Sequence, residues 1–319
     1  MVSEAVAVGA REAVAVGVRE CGRYSLPRCV RGGICWFKGC RGRNLAATAV
    51  LVVGVTILHR YFANKRRKKW AAVGKDVVVV HALPKGRLTP NISPFVIKLE
   101  TYLRLASIPY EVDYVEPLGP KGQCPWVTFN GQELADSQLV IEHLGHHFGK
   151  VFEGKLPQEQ QAVARALRIM ITEHMAWGLR QWRVMQDRGR ALQQSMDPLP
   201  FIFRLLFPFI LRRMKKSLIA QGMGRHTNAE VERMVRQDLA ALSAYLGDQS
   251  FLMGEDPCEV DCTAFSFISV IMFNYPGSPY VFMLNDDFPN LRKYQQRVQK
   301  RLWPDWDDRC LNPSPVTQE

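Results

Sequence analysis

From Asp76 onward the hydrophobic pattern is sharp. Val77–Val80, running on to Leu83, is an apolar run without alternation, the mark of a strand buried on both faces. A loop with Pro84, Gly86 and Pro90 follows, and then Ser93-Pro94, a good N-cap before the residue best suited to the first helical position. Phe95, Leu99, Leu103 and Ala106 recur at helical spacing and predict a helix to about Ser107. Tyr110–Val115 reads as a second strand, and the order strand, helix, strand implies a right-handed parallel crossover. Trp126–Phe129 and Gln132–Ala135 flank Asn130-Gly131, the strongest short hairpin signal. Ser137 is expected to cap a helix over Gln138–Phe148, which Gly149 closes.

The order is βαβ followed by ββα, the thioredoxin-like arrangement. Strand signals then disappear, and helical patterns cover 158–186, 200–219, 228–246, 259–275 and 290–302. Thr227 and Glu230 have the spacing of a capping box. The fold class is therefore α/β plus all-α. A thioredoxin-like domain over 76–150 precedes an all-helical domain over 151–306, with a tail over 307–319. This layout resembles that of cytosolic glutathione transferases.

Charge changes the picture before residue 76. The chain carries a net +12, and residues 1–75 hold all of it, with 15 Lys and Arg against 3 Asp and Glu. The remaining residues hold 27 of each sign. A nucleic-acid-binding domain would carry its basic stripe within the fold, so nucleic acid is not an expected partner. Leu45–Leu58 is uninterrupted by charge, and the run Lys65-Arg66-Arg67-Lys68-Lys69 follows closely. A spanning helix needs about 17–25 apolar residues. Extension through Tyr61, Phe62 and Ala63 approaches that length, with His59 and Arg60 snorkelling. The reading is a disordered basic leader over 1–43, a transmembrane anchor over 44–63 and a basic juxtamembrane linker over 64–75. The denser downstream cluster places the folded part in the cytoplasm, single-pass near the N-terminus. Glu4, Glu12 and Glu20 argue against a mitochondrial presequence.

Candidate chemistry gathers at three places. In thioredoxin-like folds a cis-proline precedes the strand facing the first helix, and its predecessor turns its backbone to a thiol ligand. Here these are Pro125 and Cys124; the alternative is a trans proline opening an ordinary strand. Asp136 and Ser137 stand where transferases hold the γ-glutamyl end of glutathione, its carboxylate at Ser137 and the helix N-terminus, its amine at the acid. As an alternative, Ser137 is simply the N-cap and Asp136 sits at the dipole-favourable end of the helix. Ser93 occupies the place of a thiolate at the start of the first helix, able to donate a hydrogen bond to a glutathione thiolate or only to cap. Lacking sulfur there, and with no CxxC, the chain has no thiol–disulfide chemistry at that point.

The other candidates lead to no site of their own. The eight cysteines match no common zinc spacing, and reduced thiols suit a cytosolic domain. His143, His146 and His147 suit a helix C-terminus better than a metal, so no metal site is expected. Cys258 and Cys262, one turn apart, are read as core. Phe201–Lys216 joins an apolar stretch to a basic end, which suits either a membrane surface or a core helix.

Several stretches resemble the failed axon connections family, relatives of the metaxins within the glutathione transferase-like superfamily. They are SPF-x-x-KLETYLR (Ser93–Arg104), Ile108–Tyr110, KGQCPW (Lys121–Trp126), GMGRHT (Gly222–Thr227), LGDQSFLMG (Leu246–Gly254), Asp261 and WPDW (Trp303–Trp306). Val96 departs from a cysteine frequent in the family, and Cys258 from a capping Ser or Thr. The resemblance implies a role linked to axon development, a membrane-proximal N-terminus and no established enzymatic activity. A metaxin-like place in protein import at the mitochondrial outer membrane, a homodimer and a glutathione-dependent transferase with Ser93 as thiol-activating residue stay open.

Overall fold

A computed structural model describes residues 53–312 apart from 55, 59, 63, 66, 71 and 197–200, with backbone alone at 201–203. The chain divides into two units, Met1–Ala72 and Val73–Glu319. In the first, the described residues between 53 and 70 are helical, and Val53, Ile57, Leu58, Tyr61 and Phe62 are exposed. The expected leader, most of the expected anchor (44–52, 55, 59 and 63) and the end of the tail lie outside the described residues. Among the described residues no single helix is long and apolar enough to cross a membrane.

The second unit is built on a four-stranded sheet. Strand β1 (Val78–His81) runs parallel to β2 (Tyr110–Asp113) and antiparallel to β3 (Trp126–Phe129), which pairs with β4 (Gln132–Ala135), giving the order β2-β1-β3-β4. All four residues of β1 are buried, as its central position requires. Asn130 and Gly131 both have positive φ, 47° and 79°, and close the β3–β4 hairpin. Both crossover strands end before their apolar runs do. At β2 the cause is Asp113, whose carboxylate accepts the amides of Val115 (3.2 Å) and Glu116 (3.4 Å) and turns the chain out of the sheet.

Residues 114–125 then cross as a loop without a helix. The Trp126 indole donates to the Glu116 carbonyl (2.9 Å), and Gly119 lies so close that a Cβ there would sit 2.4 Å from the ring. Trp126 also stacks on His81 (3.7 Å between centroids), which is held between Asp113 and Thr128 at 2.9 Å each. Side chains alternate across a strand, so this polar cluster occupies the sheet face opposite Val78 and Val80.

Helix α1 (Pro94–Leu105) covers the other face together with α2 (Ser137–Phe148). Every α1 residue from Val96 to Leu103 is buried. Val96, Leu99 and Leu103 join the sheet core, whereas Ile97 joins the core of the helical half. That half begins with α3 (Gln158–Ile169), a wide turn at Met170–Met175, α4 (Ala176–Gln181) and a second wide turn at Trp182–Gln186. The single helix expected over 158–186 is thus one path with two π-type interruptions. There follow α5 (Arg190–Ser195), α6 (Phe201–Gln221), α7 (Asn228–Leu246), α8 (Glu259–Asn274), α9 (Pro279–Phe282) and α10 (Pro289–Leu302). Helix α7 opens with the expected capping box: Thr227 N donates to Glu230 (2.8 Å) and Glu230 N to the Thr227 hydroxyl (3.3 Å).

Helix α8 lies along α1 and places Cys262 in the sheet core. Its N-cap is Cys258, just outside the helix, where Asp261 gathers the amides of Cys258 and Leu252 (2.9 Å each) and the Tyr294 hydroxyl (2.8 Å).

The segment after α10 folds back over α1. Trp303 donates its indole N–H to Thr101 (3.0 Å), and Arg104 lies over the Trp303 ring and pairs with Asp305 (2.8 Å). Trp306 donates to the Leu88 carbonyl (3.2 Å), and Arg309 meets the buried Glu100 carboxylate at 3.2 Å. Leu311 and Asn312 bond the carbonyls of Gly86 and Arg87. The first tail residues are therefore fastened to the N-terminal half. Burial pushes the Glu100 carboxyl above its usual range, with Arg309 and Arg104 opposing. Arg309→Ala is expected to destabilise the fold by about 2–3 kcal/mol, somewhat less than for a fully buried pair because Arg309 keeps some water. Most of that loss should return in the Arg309→Ala/Glu100→Gln double variant, as read by urea denaturation.

Candidate functional site

Ser93 and Cys124 are each tied to the chain at the end of β1. Asn91 donates its side-chain amide to the Leu83 carbonyl and accepts the Ser93 amide (3.0 Å). The Cys124 thiol points at the His81 carbonyl (3.8 Å) and also meets the Leu83 amide. The Cys124–Pro125 peptide is cis. Burial pushes the Cys124 thiol up to about 12, so it is a neutral thiol at physiological pH and not a nucleophile.

Ser93 stands at the N-cap position of α1, with Pro94 next, but its hydroxyl makes no cap hydrogen bond. The reading of Ser93 as an ordinary cap therefore fails on geometry, because its amide, not its hydroxyl, is the bonded group. At α2 the cap also moves. The N-cap is Asp136, whose Oδ1 accepts the amides of Gln138 (2.9 Å) and Leu139 (3.2 Å), and Ser137 is the first helical residue. Asp136 has φ 86°, a conformation that costs a non-glycine residue of order 1–3 kcal/mol and persists only where its surroundings impose it.

Lys98, one turn along α1 from Ser93, ties the two helix starts together. It is buried, and its ammonium donates to Gln138 Oε1 (2.7 Å). Burial, and then the charge of Arg168, lower it to about 8, while Asp136, Cys262 and Glu153 act the other way. The sequence reading passes over Lys98, since a lysine between apolar positions looks like the solvent side of an amphipathic helix. Its signal would have been that α1 is covered on both sides.

A second polar cluster lies beside α2. Arg168 binds both oxygens of Glu153 (2.9 and 2.7 Å), and Glu259 accepts the amides of Phe152 (2.8 Å) and Glu153 (2.7 Å). With Cys258 these two acids have ligand atoms within 4.8 Å of one another. Both carboxylates are committed to protein donors, and burial and neighbouring acids push the Cys258 thiol well up. These groups bond one another within the helical half, as a structural cluster rather than a set of open metal donors. Of the three histidines, His147 pairs with Asp76 (2.9 Å) and packs its ring on Phe129. The four described cysteines are free.

The polar groups at the two helix starts are in different states. The Ser93 hydroxyl is uncommitted, but at α2 the amides of Gln138 and Leu139, suited to an incoming carboxylate, are already taken by Asp136.

The comparisons with known proteins agree with the two-part architecture. The isoprene-epoxide–glutathione S-transferase of Rhodococcus sp. (strain AD45) is 30% identical over 227 residues, 66% of this chain and 93% of that protein. The chain belongs to the glutathione S-transferase family. Residues 94–189 match the family model for the glutathione S-transferase N-terminal domain, and 235–298 that for the C-terminal domain. Within this family it groups with failed axon connections and the metaxins. Failed axon connections of Drosophila melanogaster is 31% identical over 273 residues, 77% of this chain, and the chain spans 65% of that relative's length. Metaxin-2 of Mus musculus is 20% identical over 217 residues, 66% of this chain and 82% of that protein. The beta-etherase LigF of Sphingobium sp. strain SYK-6 shares the fold, with TM-score 0.51 at 16% identity over 71% of this chain and 98% of that one.

A buried ammonium that loses its proton more readily when folded destabilises the protein until it does so. Lys98 has its folded value lowered from 10.5 to about 8, so the unfolded chain binds more protons between these values. Stability should therefore rise by up to about 3 kcal/mol as pH goes from 8 to 10.5, and Lys98→Met should lose this rise while gaining stability at pH 7. Denaturation midpoints across that range check both.

Proposed function

We propose that this member of the glutathione S-transferase family is a non-catalytic protein attached to a membrane through its N-terminal segment, acting through protein or membrane contacts. One observation carries the loss of catalysis: Asp136 occupies the amides at the start of α2. A thiol substrate's carboxylate would have to displace Asp136 from them or be held by Ser137 alone. The neutral Cys124 thiol and the missing sulfur at Ser93 support the same reading. Membrane attachment is supported by the apolar stretch Leu45–Leu58, the basic run after it and the exposed Val53, Ile57, Leu58, Tyr61 and Phe62. The relative's name, failed axon connections, supports a part in axon development. The metaxin kinship supports the mitochondrial outer membrane as one destination, with the folded unit facing the cytoplasm.

A second reading rests on a different observation. The Ser93 hydroxyl is uncommitted at the N-terminus of α1, where it is able to donate to a glutathione thiolate. The Rhodococcus relative's name supports it. Asp136 would then give up the cap bonds it makes now.

Calorimetry separates the two. The full chain is expected to show no binding heat with glutathione at millimolar concentration. A saturable heat abolished by Ser137→Ala would establish the transferase reading instead. Deleting residues 1–70 should move the protein from the membrane to the soluble fraction of expressing cells. A truncated chain that still sediments with membranes would overturn the anchor, and co-sedimentation of the full chain with a mitochondrial marker would identify the destination.

A further inference from the structure

Helix α6 presents an outer face that is apolar in its first half and cationic in its second. Leu205 is 63% exposed and Phe209 70%, with Pro208 exposed beside them. On the other side Phe207 and Leu218 are buried, and Leu211 and Met214 pack against the core. At about 3.6 residues per turn, Leu205, Phe209, Arg212 and Lys216 fall on one line along the helix, flanked by Arg213 and Lys215. Phe207, Leu211, Met214 and Leu218 fall opposite. The whole helix contains five Arg and Lys and no Asp or Glu. Among the described residues no carboxylate pairs with Arg212, Arg213, Lys215 or Lys216. A solvated surface helix ordinarily carries both signs of charge on its polar face, whereas this outer face joins the neighbouring exposed Leu205 and Phe209 to cations alone.

We propose that this face of α6 lies on an anionic phospholipid surface, with Leu205 and Phe209 entering among the headgroups and Arg212, Arg213, Lys215 and Lys216 at the lipid phosphates. An apolar stripe beside uncompensated cations is the combination that holds a helix in the plane of a membrane interface. A second copy is the poorer occupant. An antiparallel two-fold contact would press the cations of each copy onto the apolar half of the other, and a parallel one would set like charges together, with no acid in the helix to answer them in either case. The contact belongs to the folded unit and does not depend on the N-terminal segment, so the two attachments can fail separately.

The test uses the full chain with Phe209 replaced by the photoreactive residue p-benzoylphenylalanine. It is mixed with vesicles of phosphatidylcholine alone or with phosphatidylserine added, and irradiated. A phospholipid adduct at position 209 is expected, with at least about fivefold more in the phosphatidylserine vesicles. Changing Arg212, Arg213, Lys215 and Lys216 together to Ala, on an exposed face where folding is not at stake, should reduce the adduct to the phosphatidylcholine level. Equal yields from both vesicles, no lipid adduct, or crosslinking to a second copy or another protein would overturn the inference. Sedimentation with phosphatidylcholine vesicles reports the N-terminal attachment by itself. A chain that sediments there yet forms no adduct refutes the α6 contact and leaves the anchor standing.

Discussion

Helix α1 has no side facing water, and most of the structure follows from that constraint. A helix normally keeps one face solvated for its charged residues. Here eight consecutive residues are buried, among them Lys98, Glu100 and Thr101. Each polar side chain then needs a protein partner, since an unpaired buried group costs about 1–3 kcal/mol and a charge more. Lys98 takes Gln138 from α2, Glu100 takes Arg309 from the tail, and Thr101 accepts the Trp303 indole. Two distant segments, the start of α2 and the chain after α10, are thereby drawn to one helix by its polar demands.

The same constraint explains why the two halves act as one body. Apolar contact alone would let α8 slide along α1 with little penalty. Cys262 crossing into the sheet core and Ile97 crossing into the helical core remove that freedom. The helix starts that define the candidate site are tied to each other by the Lys98–Gln138 bond. Its geometry is consequently a by-product of how α1 is buried, and it persists whether or not a ligand is used.

Much of this was legible in the chain. The valine run, the Asn130-Gly131 turn and the Thr227/Glu230 spacing act over a few residues, so local physics decides them and the structure follows them closely. Caps were harder. Asp136 and Ser137 are both good cap residues, and only the hydrogen bonds formed in the folded chain, from the Gln138 and Leu139 amides to Asp136, show which one caps. The turns at Met170–Met175 and Trp182–Gln186 keep the path of a helix while changing its hydrogen bonding, so side-chain periodicity alone does not reveal them. Lys98 and Glu100 were not legible at all, because their partners lie far along the chain and burial on both sides of α1 is a property of the assembled unit. At the site, Ser93, Cys124, Pro125, Asp136 and Ser137 could be located from the strand and helix order. Which of their polar groups were already occupied could not.

The return of the tail onto α1 also sets a timetable. Glu100 and Thr101 leave the ribosome about two hundred residues before the Trp303 and Arg309 that cover them. At roughly 5–20 residues per second, that interval lasts about 10–40 s. For that time the thioredoxin-like half carries a carboxylate on an uncovered surface and an apolar seam waiting for α8. The N-terminal half of this fold is therefore not a finished product when it emerges, and the nascent chain remains open to chaperones until its last turn is made.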